Sequence, residues 1–294
     1  MKLFWWEKIV FYLEKRMNST ERKWKDMTKW LVAGTDQRLK LANDLLLAAG
    51  LTSQYIAADS FDDQLKQMLI DERPDHLLLP LLPMEPCIPA EYLKEGCSVY
   101  TGQSSAQWRQ ELSKKGIRHI NYLQDEQFIW KNAQLTAEAF VHVFYEQTKR
   151  QIAGKQFYIA GFGRVGKAIA HTLHQMQAKV IIAARSDEQL AEAHMLGYGT
   201  QRLTERTEFS RGYLVNTIPA QWLRADQTGT VHVFDVSSAP GCLKHGEFSE
   251  YYTIHLKLPG KHFPEDAAAV LAEAVLRMSI DERGTRCLKE NESD

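Results

Sequence analysis

The sequence predicts an α/β protein of two layered domains, and three observations carry that prediction. Short apolar strands alternate with helix-length segments from Trp30 onward, an order that builds parallel sheets with helices on their faces. Several strands, His76–Leu79 among them, are apolar without alternation, as strands covered on both faces are. The third observation is a glycine pattern, Gly161-Phe162-Gly163-Arg164-Val165-Gly166, that joins an apolar strand ending at Ala160 to a helix.

The elements follow in order. In a first domain, residues 28–134, the sequence predicts a strand at Trp30–Ala33, a helix at Gln37–Ala49 stopped by Gly50, and a strand at Gln54–Ala57. A helix at Phe61–Ile70 and a strand at His76–Leu79 come next, then a proline-rich loop, Pro80–Pro89. Ser98–Tyr100 and His119–Tyr122 read as strands flanking a helix at Ser105–Lys115. A long helix over residues 135–151 joins this layer to a second domain, residues 152–262. There the glycine motif is followed by a strand at Ala178–Ala184 and a helix that stops at Gly197. Ser186 with Gln189 opens that helix as a capping box. Further strands lie at Gly212–Asn216, Val231–Asp235 and Tyr252–Leu256. Residues 263–294 hold a C-terminal helix, Pro264–Met278, whose Val270, Leu271, Val275 and Leu276 are expected to return to the first domain. A charged tail frays from Asp281. Residues 1–27, rich in aromatics and Lys/Arg, are expected to be an extension outside the fold. The fold class is thus two Rossmann-like domains, with a doubly wound parallel sheet in the second.

Bulk properties narrow the function. A chain of 294 residues suits two domains. A net charge of −1 gives no general attraction to nucleic acid or anionic lipid. The cysteines, at 87, 97, 242 and 287, form no C-x-x-C pair and no metal-ligand spacing. No apolar run approaches the roughly 20 residues of a membrane span. The expectation is a cytoplasmic protein with reduced thiols, no metal and no membrane span.

The glycine motif carries chemistry. Gly161 makes the tight turn, Gly163 lets backbone approach a pyrophosphate, and Gly166 lets helix lie on strand. The helix N-terminus offers N–H groups and partial positive charge to phosphates, so Phe162, Arg164 and Val165 join the glycines as cofactor residues. The next strand ends Ala184-Arg185-Ser186, without the Asp or Glu that holds a ribose 2′-OH about 20 residues past the glycines. A small residue followed by arginine suits a 2′-phosphate. NADP is therefore the expected cofactor and NAD the alternative, with Arg185 as a plain loop cation the competing reading. Thr217, Ile218 and Pro219, just past a strand end, are expected beside the nicotinamide ribose.

Residues 28 to 280 together resemble the NAD(P)-dependent subunit of dipicolinate synthase. The resemblance rests on Gly34-x-Asp36-x-Arg38, Leu79-Pro80, Gly102 with Ser104, Asn132, and Thr136-Ala137-Glu138 in the first half. The glycine motif, Ala184-Arg185-Ser186, Asn216-Thr217-Ile218-Pro219, Asp235, Pro240-Gly241 and Leu258-Pro259-Gly260 complete it. It implies oxidation of dihydrodipicolinate to dipicolinate with NAD(P) during sporulation. A second, flavoprotein-like subunit is the implied partner, and a homo-oligomer is expected. The chain departs from the family where Leu135 and Ala139 replace a proline and a glycine, where Ala239 replaces an arginine, and at Asp266. These changes fall in the substrate half, so a diverged member is also considered.

A pyridine dicarboxylate needs cations or N–H groups for its carboxylates and a group to take a proton. Arg38, just past a strand end, is the expected carboxylate ligand. Glu138 and Thr136 are expected near the domain junction, Glu138 as proton acceptor. Asp235 is either a cleft acid or a loop-capping one. Two alternatives stand beside the dehydrogenase: a nucleotide-binding scaffold without turnover, and a 2-hydroxyacid-type dehydrogenase.

Overall fold

The computed structural model describes residues 28–291; the expected extension at residues 1–27 lies outside them. The chain divides into two compact units, one reaching Ile129 and resuming at Pro264, the other Trp130–Phe263.

The first unit is a parallel sheet in the order β2-β1-β3-β4-β5. Its elements are β1 (Lys29–Ala33), α1 (Gln37–Ala48), β2 (Thr52–Ile56), α2 (Asp63–Glu72), β3 (His76–Leu78), β4 (Ser98–Thr101), α3 (Ala106–Lys114) and β5 (Arg118–Asn121). One sheet face buries Leu31, Leu77 and Val99 against Leu65 and Leu69 of α2 and Trp108 and Leu112 of α3. Period two puts alternate residues of each strand on the same side, so this face needs Leu31 but leaves Val32 to the other. Each helix starts on a side-chain cap: Asp36, Asp62 and Ser105 accept from backbone N–H groups of the first turn.

The linking helix, α4 (Glu126–Thr148), starts at Glu126 rather than at residue 135. Asp125 explains the early start: its carboxylate accepts from Phe128 N–H at 2.7 Å and its carbonyl from Ile129 N–H. The division between units falls inside this helix. The C-terminal helix, here labelled α8 (Pro264–Asn291), packs on α1. It runs well past Met278, because Glu and Lys favour helix and charge alone does not stop one. Arg277, almost fully buried, pairs with Asp125 and donates to Gln127 Oε1 at 2.7 Å, which ties α8 to the start of α4.

The second unit holds β6 (Gln156–Ala160), α5 (Arg164–Gln175), β7 (Lys179–Ala184), α6 (Asp187–Met195), β8 (Gly199–Arg202), β9 (Tyr213–Asn216), β10 (His232–Asp235), β11 (Tyr252–Ile254) and α7 (Leu258–His262). All pairings are parallel, in the order β11-β10-β9-β6-β7-β8. The order reverses between β6 and β9, so connections leave these neighbours in opposite directions and open a crevice at their carboxyl ends. Below it, Phe140 and Phe144 of α4 pack on Phe157 and Phe234, ring centroids 5.2–6.4 Å apart. The sequence reading has no strand at β8. Its residues Gly-Thr-Gln-Arg are mostly exposed at the sheet edge, so no apolar period marks them.

Candidate dinucleotide site

The glycine motif sits at the switch point, and its three glycines are needed for different reasons. Gly161 has φ of 90°, in the left-handed region; a Cβ there would lie 2.7 Å from Thr217 Oγ1 and 2.9 Å from Ile218 Cγ1. A Cβ on Gly166 would lie 2.3 Å from the Gly161 carbonyl oxygen. Both glycines are required by the fold itself. Gly163 differs. It precedes α5 in extended conformation, and a Cβ there would meet no atom within 4 Å. Nothing in the fold needs glycine at this exposed place, whereas a pyrophosphate approaching the helix N-terminus does. The residues present fit a dinucleotide.

The opposite wall of the crevice is fixed by hydrogen bonds. Thr217 donates from its backbone N–H and from Oγ1 to the Ala160 carbonyl, both at 2.9 Å. Asn216, fully buried, accepts from Ile218 N–H and from Trp222 Nε1 on its side-chain oxygen. Its amide donates to the Ile218 carbonyl and to Asp235 Oδ1. Thr217 and Ile218 are thereby held against the motif, with Pro219 exposed beyond them. Phe162 is buried, with Lys167 Nζ 5.4 Å from its ring centre; Arg164 is exposed and Val165 partly so. On the next strand Ala184 is buried, while Arg185 and Ser186 are exposed at the tip. Ser186 caps α6 by accepting from Gln189 N–H.

Two of the expected substrate residues are engaged otherwise. Asp235 is fully buried, not a cleft acid. Its Oδ1 accepts from Asn216, Ser237 N–H and Ser237 Oγ; its Oδ2 accepts from Cys242 N–H and Tyr252 OH. Burial alone would push this carboxyl up, but the hydrogen bonds from Asn216, Ser237, Tyr252 and Cys242 outweigh it and hold it below the usual range. With both oxygens saturated it caps loops and has no lone pair left for a substrate proton. Arg38, in the first unit, is not an unpaired cation. Its Nε and Nη2 form a forked pair with Asp36 at 2.5–3.1 Å, and its side chain is 11% exposed. The residue that caps α1 also neutralises Arg38.

On α4, Thr136 is buried and donates to the Asn132 carbonyl at 2.8 Å. Glu138 is exposed, with the Gln134 amide 3.4 Å away. His255 lies just beyond β11, stacked on Phe234 and bonded to Thr253 Oγ1; burial, then Lys261 and His262, lower its pKa. Among the described residues no His/Cys/Asp/Glu group could hold a metal ion, and no helix is long and apolar enough to cross a membrane.

Residues 122–221 match the family model of the D-isomer specific 2-hydroxyacid dehydrogenase, NAD binding domain. The match begins near α4 and runs through the Asn216–Pro219 loop, so an NAD-binding domain is present and a nicotinamide dinucleotide cofactor is supported. A dipicolinate synthase subunit from Bacillus halodurans superposes with a TM-score of 0.68 at 20% identity, over 86% of this chain and 98% of that one. This chain shares its fold. The corresponding dipicolinate synthase structure from Bacillus subtilis gives 0.70 at 20% identity, over 87% and 97%. D-lactate dehydrogenase from Escherichia coli gives 0.59 at 12% identity, over 87% and 97%. No curated protein matches in sequence. The two-unit α/β plan and the nicotinamide-binding half read from the sequence accord with these likenesses, which are those of a dehydrogenase fold.

Proposed function

We propose that the chain is an NAD(P)-dependent oxidoreductase that oxidises dihydrodipicolinate to dipicolinate, with NADP preferred and a second, flavoprotein-like subunit as partner. The observation that carries the cofactor half is Gly163, open in a motif whose other glycines the fold itself requires. The substrate half is supported by the shared fold with proteins named dipicolinate synthase and by the motifs spread along the chain.

When bound, the nicotinamide supplies a hydride acceptor. The N-terminus of α5 would hold the pyrophosphate. Arg185 and Ser186 would take the ribose 2′ position, and Thr217, Ile218 and Pro219 would flank the nicotinamide ribose. Of the acids considered, Glu138 keeps an exposed carboxylate able to accept a proton as hydride leaves, while Thr136, two residues earlier on the same helix, is buried on its other side. Arg38 would meet a substrate carboxylate with its Nε and Nη2 edge already engaged by Asp36.

That pairing favours a second reading, a nucleotide-binding scaffold without turnover, since the substrate half then offers no unpaired arginine at Arg38. One assay separates the two: formation of NADPH from fresh dihydrodipicolinate, with and without the flavoprotein-like partner. Turnover supports the dehydrogenase. Tight cofactor binding with no NADPH formed under either condition supports the scaffold.

Arg185→Ala is expected to weaken NADP(H) by about 1.5–3 kcal/mol, the range for hydrogen bonds to charged groups. NAD(H) affinity should barely move, because it lacks the 2′-phosphate. Equal losses in titration calorimetry would mean that Arg185 supports the loop instead of reading the phosphate.

A further inference from the structure

The tip of β7 carries a second guanidinium that lies outside the glycine motif and its following strand. β8 runs parallel to β7 with Ala184 opposite Arg202, so the backbone of Arg202 flanks the last residue of β7. That backbone is fixed: the Arg202 carbonyl accepts from Thr207 Oγ1 at 3.1 Å, and Thr207 is itself buried. The side chain then turns toward the β7 tip. Nη1 donates to the carbonyl of Arg185 at 3.0 Å, and Nη2 pairs with Asp187 in the first turn of α6. Arg185, Asp187 and Arg202 are all exposed. Exposed ion pairs contribute little to stability, so the fold gains little from gathering these charges. The place they occupy is the one that discriminates the ribose 2′ substituent in sheets of this order.

We infer that Arg202 is the second cation of a 2′-phosphate site shared with Arg185, and that Asp187 holds it in position until the phosphate arrives. The inference rests on the NADP reading of the β7 tip and adds the residues that set the preference. A phosphomonoester brings close to two negative charges, which a lone Asp187 would repel. Paired with Arg202, that carboxylate is neutralised. On binding, Nη2 exchanges Asp187 for a phosphate oxygen, while Nη1 stays on the Arg185 carbonyl and keeps the guanidinium oriented. The ligand class is a nucleoside 2′-phosphate. An unphosphorylated ribose offers no charge to drive the exchange, so the pair persists and Arg202 adds nothing to NAD(H) affinity.

The test is titration calorimetry on the full chain with NADP(H), NAD(H), adenosine 2′,5′-bisphosphate and AMP. Arg202→Ala should weaken NADP(H) and the bisphosphate about tenfold, the low end for a charged hydrogen bond at an exposed place, and leave NAD(H) and AMP within about twofold. Asp187→Asn keeps an oxygen for Arg202 but removes the opposing charge, and should tighten NADP(H) about threefold, by the same conversion. An Arg202→Ala protein with unchanged NADP(H) affinity, or with equal losses for NADP(H) and NAD(H), overturns the inference. So does weaker NADP(H) binding in Asp187→Asn. If Arg185→Ala loses NADP(H) while Arg202→Ala does not, the inference fails and the NADP reading stands. If neither arginine alters the ratio of the two cofactors, the NADP reading fails and takes the inference with it.

Discussion

Gly163→Val is expected to abolish binding of NADP(H) and NAD(H) alike at little cost in stability. The residue has an extended backbone that any amino acid adopts, and its Cβ position is open. A valine therefore clashes with nothing in the unliganded protein, and unfolding free energy should fall by no more than about 1 kcal/mol, the cost of a poorer N-cap residue on α5. Its methyl groups would occupy the space through which a pyrophosphate reaches the first turn of α5. Affinity should fall by at least about 1,000-fold, roughly 4 kcal/mol. Gly166→Ala is the control with the opposite profile. Its new Cβ would sit 2.3 Å from a backbone carbonyl, so the helix must lift from the strand and thermal stability must fall. Calorimetry with a melting curve on both variants decides the matter. Normal nucleotide affinity in Gly163→Val would remove this site from the account.

Asp235→Ala is expected to cost about 3–5 kcal/mol of stability, a few buried donors left without an acceptor at roughly 1–3 kcal/mol each. The loss leaves hydrogen-bond donors on Asn216, Ser237, Cys242 and Tyr252 without their acceptor, and each orphaned donor carries a desolvation penalty. The same residue makes the protein acid-labile in a defined direction. Its folded pKa lies below the unfolded value, near 3.9 for an ordinary aspartate. Its stabilising contribution is complete above that unfolded value, declines as pH falls below it, and is gone once pH passes the folded value. Urea titrations from pH 6 down to about 3 should show wild type losing stability faster than Asp235→Asn. Parallel slopes would mean that the carboxylate is not preferentially ionised in the folded state.

Much of the second unit is legible in the sequence because its constraints are local. Strand, glycine turn and helix follow one another within residues 156–175, and Gly166 answers to the carbonyl of Gly161 just before it. The roles of Arg38 and Asp235 are illegible for the opposite reason. A charge just past a strand end looks the same in sequence whether or not it is paired, and the fork from Asp36 onto Arg38 is visible only in the structure. The saturation of Asp235 needs Asn216 from β9, Cys242 from a loop and Tyr252 from β11, partners that only the sheet order brings together. Arg202 is missed with its strand, since four polar residues at a sheet edge carry no apolar period.

The first unit is discontinuous along the chain, and this orders events during synthesis. Nascent domains tend to fold as they emerge. Here residues 130–263 are contiguous and can close as soon as they clear the ribosome, whereas the unit made first cannot finish. Leu39, Ala42 and Leu46 on α1 are buried in the finished protein, and α8, the helix packed on α1, is translated only after the whole second unit. Throughout elongation α1 therefore lacks the surface it will rest on. The half that begins folding earliest is completed only after its neighbour, so a chain cut short before Pro264 would leave it without α8.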